Sequence, residues 1–249
     1  MRKALLLLVV LAGLIAGCEE KYKDADPQAM GYGYYPLEIG AYRIYNVTDI
    51  KFKFNVGDTT RFQMRERIDT SFIDQTKTFS YKVIRSVRPD EKSVWVDDSV
   101  MITSLANNMV MLTKDNTKYV KLVFPVKEGG EWVGDAYNDH FYNDKVVTDR
   151  YSKLRNNKEV YTYEKVGISY QVGELNFPKT ITVVQNGPDE TKLIMDERRE
   201  VYAEGLGRIY RIFNRAVYAP CANDQCEYGE SFKLDGHERH EELISYGKL

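Results

Sequence analysis

From Tyr34 onward the side chains alternate in character with a period of two, and that pattern confines the chain to extended, half-buried strands. Ile50-Lys51-Phe52-Lys53-Phe54 is the clearest run, and Tyr42-Arg43-Ile44-Tyr45-Asn46-Val47 precedes it. Further runs fall at 61–68, 78–87, 93–97, 109–113, 118–124, 161–166, 180–185, 192–202 and 208–213. They are rich in the β-branched and aromatic residues that pack well on a pleated surface. Gly57-Asp58, Pro89-Asp90, Asn107-Asn108, Asp115-Asn116, Gly129-Gly130 and Asn186-Gly187-Pro188 supply turn chemistry between them. About a dozen strands with short connections imply an all-β fold, an antiparallel curved sheet forming a half-barrel or barrel, with a β-sandwich as the alternative. Only 144–156 and 238–245 read as short helices, so one or two helices at most are expected.

The first residues obey a different rule. Met1-Arg2-Lys3 is basic, and the apolar run behind it is shorter than the about 20 residues that a spanning helix needs, so it reads as a processing segment. It ends in Ile15-Ala16-Gly17-Cys18, which resembles the lipobox of bacterial lipoproteins. The resemblance implies a signal peptide over 1–17 and a diacylglycerol on the Cys18 thiol. It also implies attachment to a membrane through two or three acyl chains, palmitate among them, which hold where one chain does not. The address is then the cell envelope, with the outer membrane as the expected site. Residues 18–33 are polar and contain glycine without periodicity, which suits a flexible tether. Glu19 and Glu20 resemble the surface-export signal of some Gram-negative lipoproteins, and they equally suit a solvated linker, so the periplasmic and surface leaflets both stay open.

Residues 34–249 are expected to form a single β-rich domain. The chain is 43% hydrophobic and 29% charged, with its charges interspersed, so it can bury a core. Its formal net charge of −2 becomes more negative once Arg2 and Lys3 leave, which argues against a nucleic-acid partner. With Cys18 assigned to lipid, two of the three cysteines remain, Cys221 and Cys226. In an oxidising compartment a small disulfide loop is the natural pairing, while a redox or zinc pair would want closer spacing or further ligands.

Tyr35-Pro36-Leu37-Glu38-Ile39-Gly40-Ala41-Tyr42-Arg43 is echoed by Phe124-Pro125-Val126-Lys127-Glu128-Gly129-Gly130-Glu131-Trp132. Two related halves, 34–122 and 123–249, would explain the echo, as would a common way of turning a corner into a strand. With Gly205-Leu206-Gly207 and Tyr210, these segments resemble a loose group of Gram-negative envelope lipoproteins that have no assigned activity. Arg43 stands where that group's opening strand carries Trp, whereas Trp132 keeps the second Trp. The resemblance implies a β-rich exported domain and no particular chemistry.

Several constellations invite a functional reading. Asp135, Tyr137, Asn138, Asp139, His140 and Tyr142 gather oxygens that could ligate calcium and rings that could stack on a sugar. A polar loop whose aromatics pack onto the sheet explains the same residues. His237 and His240 could share a face on a helix, but on a strand they would point to opposite faces, and a solvated C-terminal segment is the simpler reading. Gly205-Leu206-Gly207 lacks the third glycine and the helix of a phosphate loop and reads as a bulge or a close backbone approach. No motif asks for a cofactor, none forms a nucleophile elbow, and an enzyme is not expected. The expected role is a non-enzymatic envelope lipoprotein binding an apolar or amphiphilic ligand, or a partner protein, on a sheet face. The alternative is a structural or accessory subunit of a surface assembly, with glycan capture as one task. The third reading, a metal-dependent hydrolase, requires His140 to converge with His237 or His240.

Overall fold

The computed structural model describes residues 26–137, 154–155, 158–190, 193–220, 227–229 and 231–249. Its strands are β1 (Ala41–Lys53), β2 (Val56–Ile73), β3 (Phe79–Arg88), β4 (Val96–Ala106), β5 (Met109–Lys114), β6 (Thr117–Val123) and β7 (Glu131–Val133). They continue as β8 (Leu154–Arg155), β9 (Lys158–Val172), β10 (Leu175–Glu190), β11 (Ile194–Ala203), β12 (Gly207–Tyr218) and β13 (Lys233–Lys248). One short helix, α1 (Pro27–Met30), and a 3₁₀ turn at Tyr32–Tyr34 precede them.

All strand pairs are antiparallel, in the order β6-β5-β4-β3-β2-β1-β13-β12-β11-β10-β9-β7, with β8 paired to β9 off this path. From β1 to β6, and again from β9 to β13, successive strands lie side by side, and the first and last strands pair from Ala41↔Lys248 to Lys53↔Asp235. That makes an up-and-down sheet wound into an almost complete barrel, the fold class expected from the alternation.

The remaining gap, between β6 and β7, is bridged. Val120 N donates to Gly134 O at 2.7 Å, and Trp132 Nε1 donates to Val120 O at 2.9 Å. The Tyr163 hydroxyl donates to Val123 O and accepts from Val123 N, both at 2.9 Å. Gly134 belongs here because a Cβ would run into the Tyr161 ring. Around this seam Leu122, Phe124, Trp132, Tyr161, Tyr163, Ile181 and Val183 form the largest apolar cluster.

Residues 27–40 close one end of the barrel. Asp26 caps α1 by accepting from Gln28 N at 3.0 Å, and Gly31 ends it in the left-handed conformation at φ +82°. Val126 N then bonds Met30 O, the Tyr32 hydroxyl bonds Asn108 Oδ1, and Gly205 N bonds Gly33 O. Met30, Tyr32, Tyr34 and Tyr35 pack on the seam cluster, and Leu37 packs on Ile68, Val83 and Met101. Residues 30–33, expected to belong to the tether, thus lie against the barrel.

Four local expectations are corrected. Residues 238–245 are part of β13, not a helix. The strand is held on both sides by β1 and β12, and this pairing overrides a local helical pattern that has no cap to hold it. The first hairpin turns at Phe54-Asn55, with φ of 47° and 60°, and Gly57-Asp58 continues β2. Asn186-Gly187-Pro188 does not break β10; the register shifts there as a bulge. Of the expected helix over 144–156, only Leu154–Arg155 is described, and it is a strand.

Candidate functional site

Strand number sets the bore. Eight strands give an interior that side chains fill, while sixteen or more leave an aqueous channel. This sheet falls between, and it holds a cavity of about 500 Å³. The cavity runs from Tyr35 on the closing segment to Asp115 and Thr117 on the β5–β6 turn. Because Tyr32 bonds the β4–β5 turn at Asn108, the β5–β6 turn lies at the opposite end. The Asp115 side chain is 79% exposed, so the cavity meets solvent there.

Eight cationic side chains line it against four carboxylates. β1 contributes Arg43, β3 Arg85, β5 Lys114, β6 Lys121, β11 Arg198, and β12 Arg208, Arg211 and Arg215. The carboxylates are Glu66, Asp115, Glu159 and Glu200. On β2 and β13 the acidic side chains point inward because they share the parity of buried apolar neighbours. Glu66 sits between Met64 and Ile68 on β2, and Glu241 precedes Leu243 on β13.

Each buried carboxylate is shared. Glu66 Oε1 accepts from Arg85 at 2.8 Å and from Arg208 at 3.0 Å. Glu200 lies 2.6 Å from Lys121 Nζ and accepts from the Tyr202 hydroxyl at 2.6 Å. Glu241, fully buried, meets Arg208 at 2.9 Å, Arg211 at 3.0 Å and Arg239 at 2.7 Å. Arg239 also donates to Asp49, which His237 contacts at 3.1 Å, so the network runs from His237 to Lys121. A second knot joins Arg198 to Asp196 and Glu159, with Arg215 3.4 Å from Asp196.

Burial alone would raise the Glu66 carboxyl, but Arg208, Arg85 and Arg43 outweigh it and hold the group at about 2. Glu200 is held at about 2 in the same way by Lys121, Arg208 and Arg211. On the cationic side, burial lowers the Lys121 and Lys114 ammonium groups, and Arg85 and Arg211 push Lys114 further down. Several lining guanidiniums, those of Arg43, Arg85 and Arg208 among them, keep a buried Nε–H with no hydrogen-bond partner among the described residues. Burying such charges costs several kcal/mol per ion before pairing, roughly, and departures from an apolar interior of this kind concentrate at functional sites. With Tyr35, Tyr119, Tyr161 and Phe213 among them, the walls offer many donors, a few rings and few acceptors.

Arg43 joins two of the sequence motifs. Its Nη1 donates to Leu206 O at 2.9 Å, inside the Gly205-Leu206-Gly207 turn, so that turn is the close backbone approach expected of it. The loop at 135–142 is not drawn into the cavity where it is described. Asp135 is fully buried and accepts from Glu159 N at 2.8 Å, a structural use, while Tyr137 is 54% exposed with Lys118 Nζ 5.2 Å from its ring centre. Asn138, Asp139, His140 and Tyr142 lie outside the described residues, as do Cys18, Cys221 and Cys226. His237 and His240 do not converge, because one bonds Asp49 and the other Asn214. No cluster of three or more His, Cys, Asp or Glu side chains suited to a metal occurs among the described residues.

The cavity is also not the aliphatic and aromatic one expected for an apolar ligand. Alternation marks a face by its apolar residues, so the charged residues of this cavity escape it. The available signal was parity: Met64-x-Glu66-x-Ile68 and Val83-x-Arg85-x-Val87 put the charge on the apolar face.

Fold and interior together define an almost closed, up-and-down β-barrel with a cationic internal cavity. No family model matches the chain, and no curated protein matches it. Among solved structures, it is similar to a protein described as exported, with a YmcC-like fold, from Bacteroides fragilis, at 14% identity over 86% of this chain and 98% of that one, with a TM-score of 0.35. It is also similar to a protein described as a lipoprotein from Parabacteroides distasonis, at 10% identity over 85% and 98%, with a TM-score of 0.30.

Proposed function

We propose that this chain is a lipid-anchored envelope protein whose barrel binds a small anionic solute rather than catalysing a reaction on it. The observation that supports the binding role is the excess of eight cations over four carboxylates around one solvent-connected cavity, in a chain whose net charge is negative. Positive side chains in a low-dielectric enclosure favour an anion far more than the same groups on an open surface would. The anchor rests on Ile15-Ala16-Gly17-Cys18. The outer membrane is the proposed location.

Binding is tested by thermal unfolding at fixed ionic strength with matched anionic and neutral solutes. Anions should raise the midpoint and neutral counterparts should not; equal response to both would sink the cavity reading. For the anchor, Cys18→Ser should move the protein from the detergent phase to the aqueous phase, and unchanged partition would refute lipidation.

A second reading, an accessory subunit, is favoured by Val96, Val100 and Ile102, which stand exposed at alternate positions along β4. Crosslinking in intact cells that recovers only monomer would count against it.

A further inference from the structure

Resting on the anion-binding reading, one corner of the cavity is short of negative charge. Lys114 on β5 has Asp115 as its carboxylate neighbour, 3.7 Å away and largely in solvent. Arg85, only 8% exposed, shares a single Glu66 oxygen with Arg208 and keeps its Nε–H without a hydrogen-bond partner among the described residues. Arg211, from β12 on the other part of the barrel, shares Glu241 with Arg208 and Arg239, and its other carboxylate, Glu200 at 3.5 Å, is already held by Lys121 and Arg208. All three side chains line the cavity. Burial and the nearby Arg85 and Arg211 depress the Lys114 ammonium against the opposing pull of Asp115 and Asp98, so both guanidiniums lie within electrostatic reach of it.

We infer that Lys114, Arg85 and Arg211 form an anchoring subsite for a tetrahedral oxyanion group, phosphoryl or sulfuryl, carried by a small polar molecule. Three cationic donors arriving from three separate strands suit a group with three peripheral oxygens and more than one negative charge. A planar carboxylate is satisfied by a single guanidinium fork. Such a group would supply the acceptors that Glu66 and Glu241 have already spent on two or three partners each.

The test is calorimetric titration of the full chain at low ionic strength with inorganic phosphate, sulfate, acetate and glucuronate. Phosphate and sulfate should bind, with preference for either supporting the assignment and sorting phosphorylated from sulfated cargo. Lys114→Gln should weaken that binding at least about tenfold, and Lys114→Arg should retain most of it. Lys51→Gln, which removes the same charge from an exposed position on β1, should leave it unchanged. Equal phosphate and sulfate affinity in a folded Lys114→Gln variant would overturn the subsite while leaving the cavity reading intact. Glucuronate or acetate binding without phosphate or sulfate would overturn the choice of oxyanion alone. Failure of every anion would remove the subsite and the cavity reading together.

Discussion

A Cβ at position 207 would lie 2.6 Å from Arg43 Nη1, and the backbone there has a φ of +95°, a region that side chains with a Cβ rarely adopt. The close approach follows from one contact, because Arg43 reaches past Gly207 to the Leu206 carbonyl. Gly207→Ala should therefore destabilise the fold by about 1–3 kcal/mol, read as a lower denaturant midpoint with unchanged slope. A loss below about 0.5 kcal/mol would mean that Arg43 steps aside freely. At this scale the sequence was only half legible. Two nearby glycines announced a close approach, but nothing in 205–207 named the arginine some 160 residues earlier that makes it. Likewise Arg43 stood out as a departure from a tryptophan-bearing motif without showing that it turns toward Glu66 and Arg208. Contacts between remote strands depend on register, and register is set by pairing that a single strand does not reveal.

The strands were legible in kind and less so in extent. Alternation located β1, β2, β3, β5, β6 and β9 to β12, since each has enough β-branched or aromatic residues to mark its faces. It missed β7, which is three residues long and held by its closure role, and β13, whose charged 235–242 stretch hides a strand at the middle of the sheet. That stretch looks solvated only until Glu241 is placed opposite Arg211 and Arg239 opposite Asp49. β7 carries the prediction at this level. Because Trp132 Nε1 to Val120 O is one of the few bonds across the seam, Trp132→Phe should cost about 1 kcal/mol. It should also speed hydrogen exchange at the Val120 amide, which donates to Gly134 O beside it, more than at Val47 on the fully paired β1. Equal acceleration at both amides would show that the seam does not open separately from the rest of the sheet.

For the whole molecule, the interior charge makes stability and cargo binding respond to the same variable. Glu66 and Glu200 titrate at about 2 in the folded barrel against an ordinary value of 4.5, so the unfolded chain takes up their protons at higher pH. The stability they contribute is complete above about pH 4.5 and is lost as pH falls toward about 2, on the order of a few kcal/mol in total. Glu241, held well below its ordinary value mainly by Arg208, Arg211 and Arg239 against the opposing effect of burial, extends the loss at the acid end. Protonating these carboxylates also leaves the arginines and lysines facing one another across the cavity with less negative charge to balance them. The thermal midpoint should accordingly fall steeply from pH 4.5 to 2, and sulfate, which stays charged through most of that window, should recover more of the loss than chloride at equal ionic strength. A midpoint that stays flat across the window would show that the buried network contributes no net stability. A steep fall with identical recovery by sulfate and chloride would show that the barrel screens its interior charge without selecting an anion.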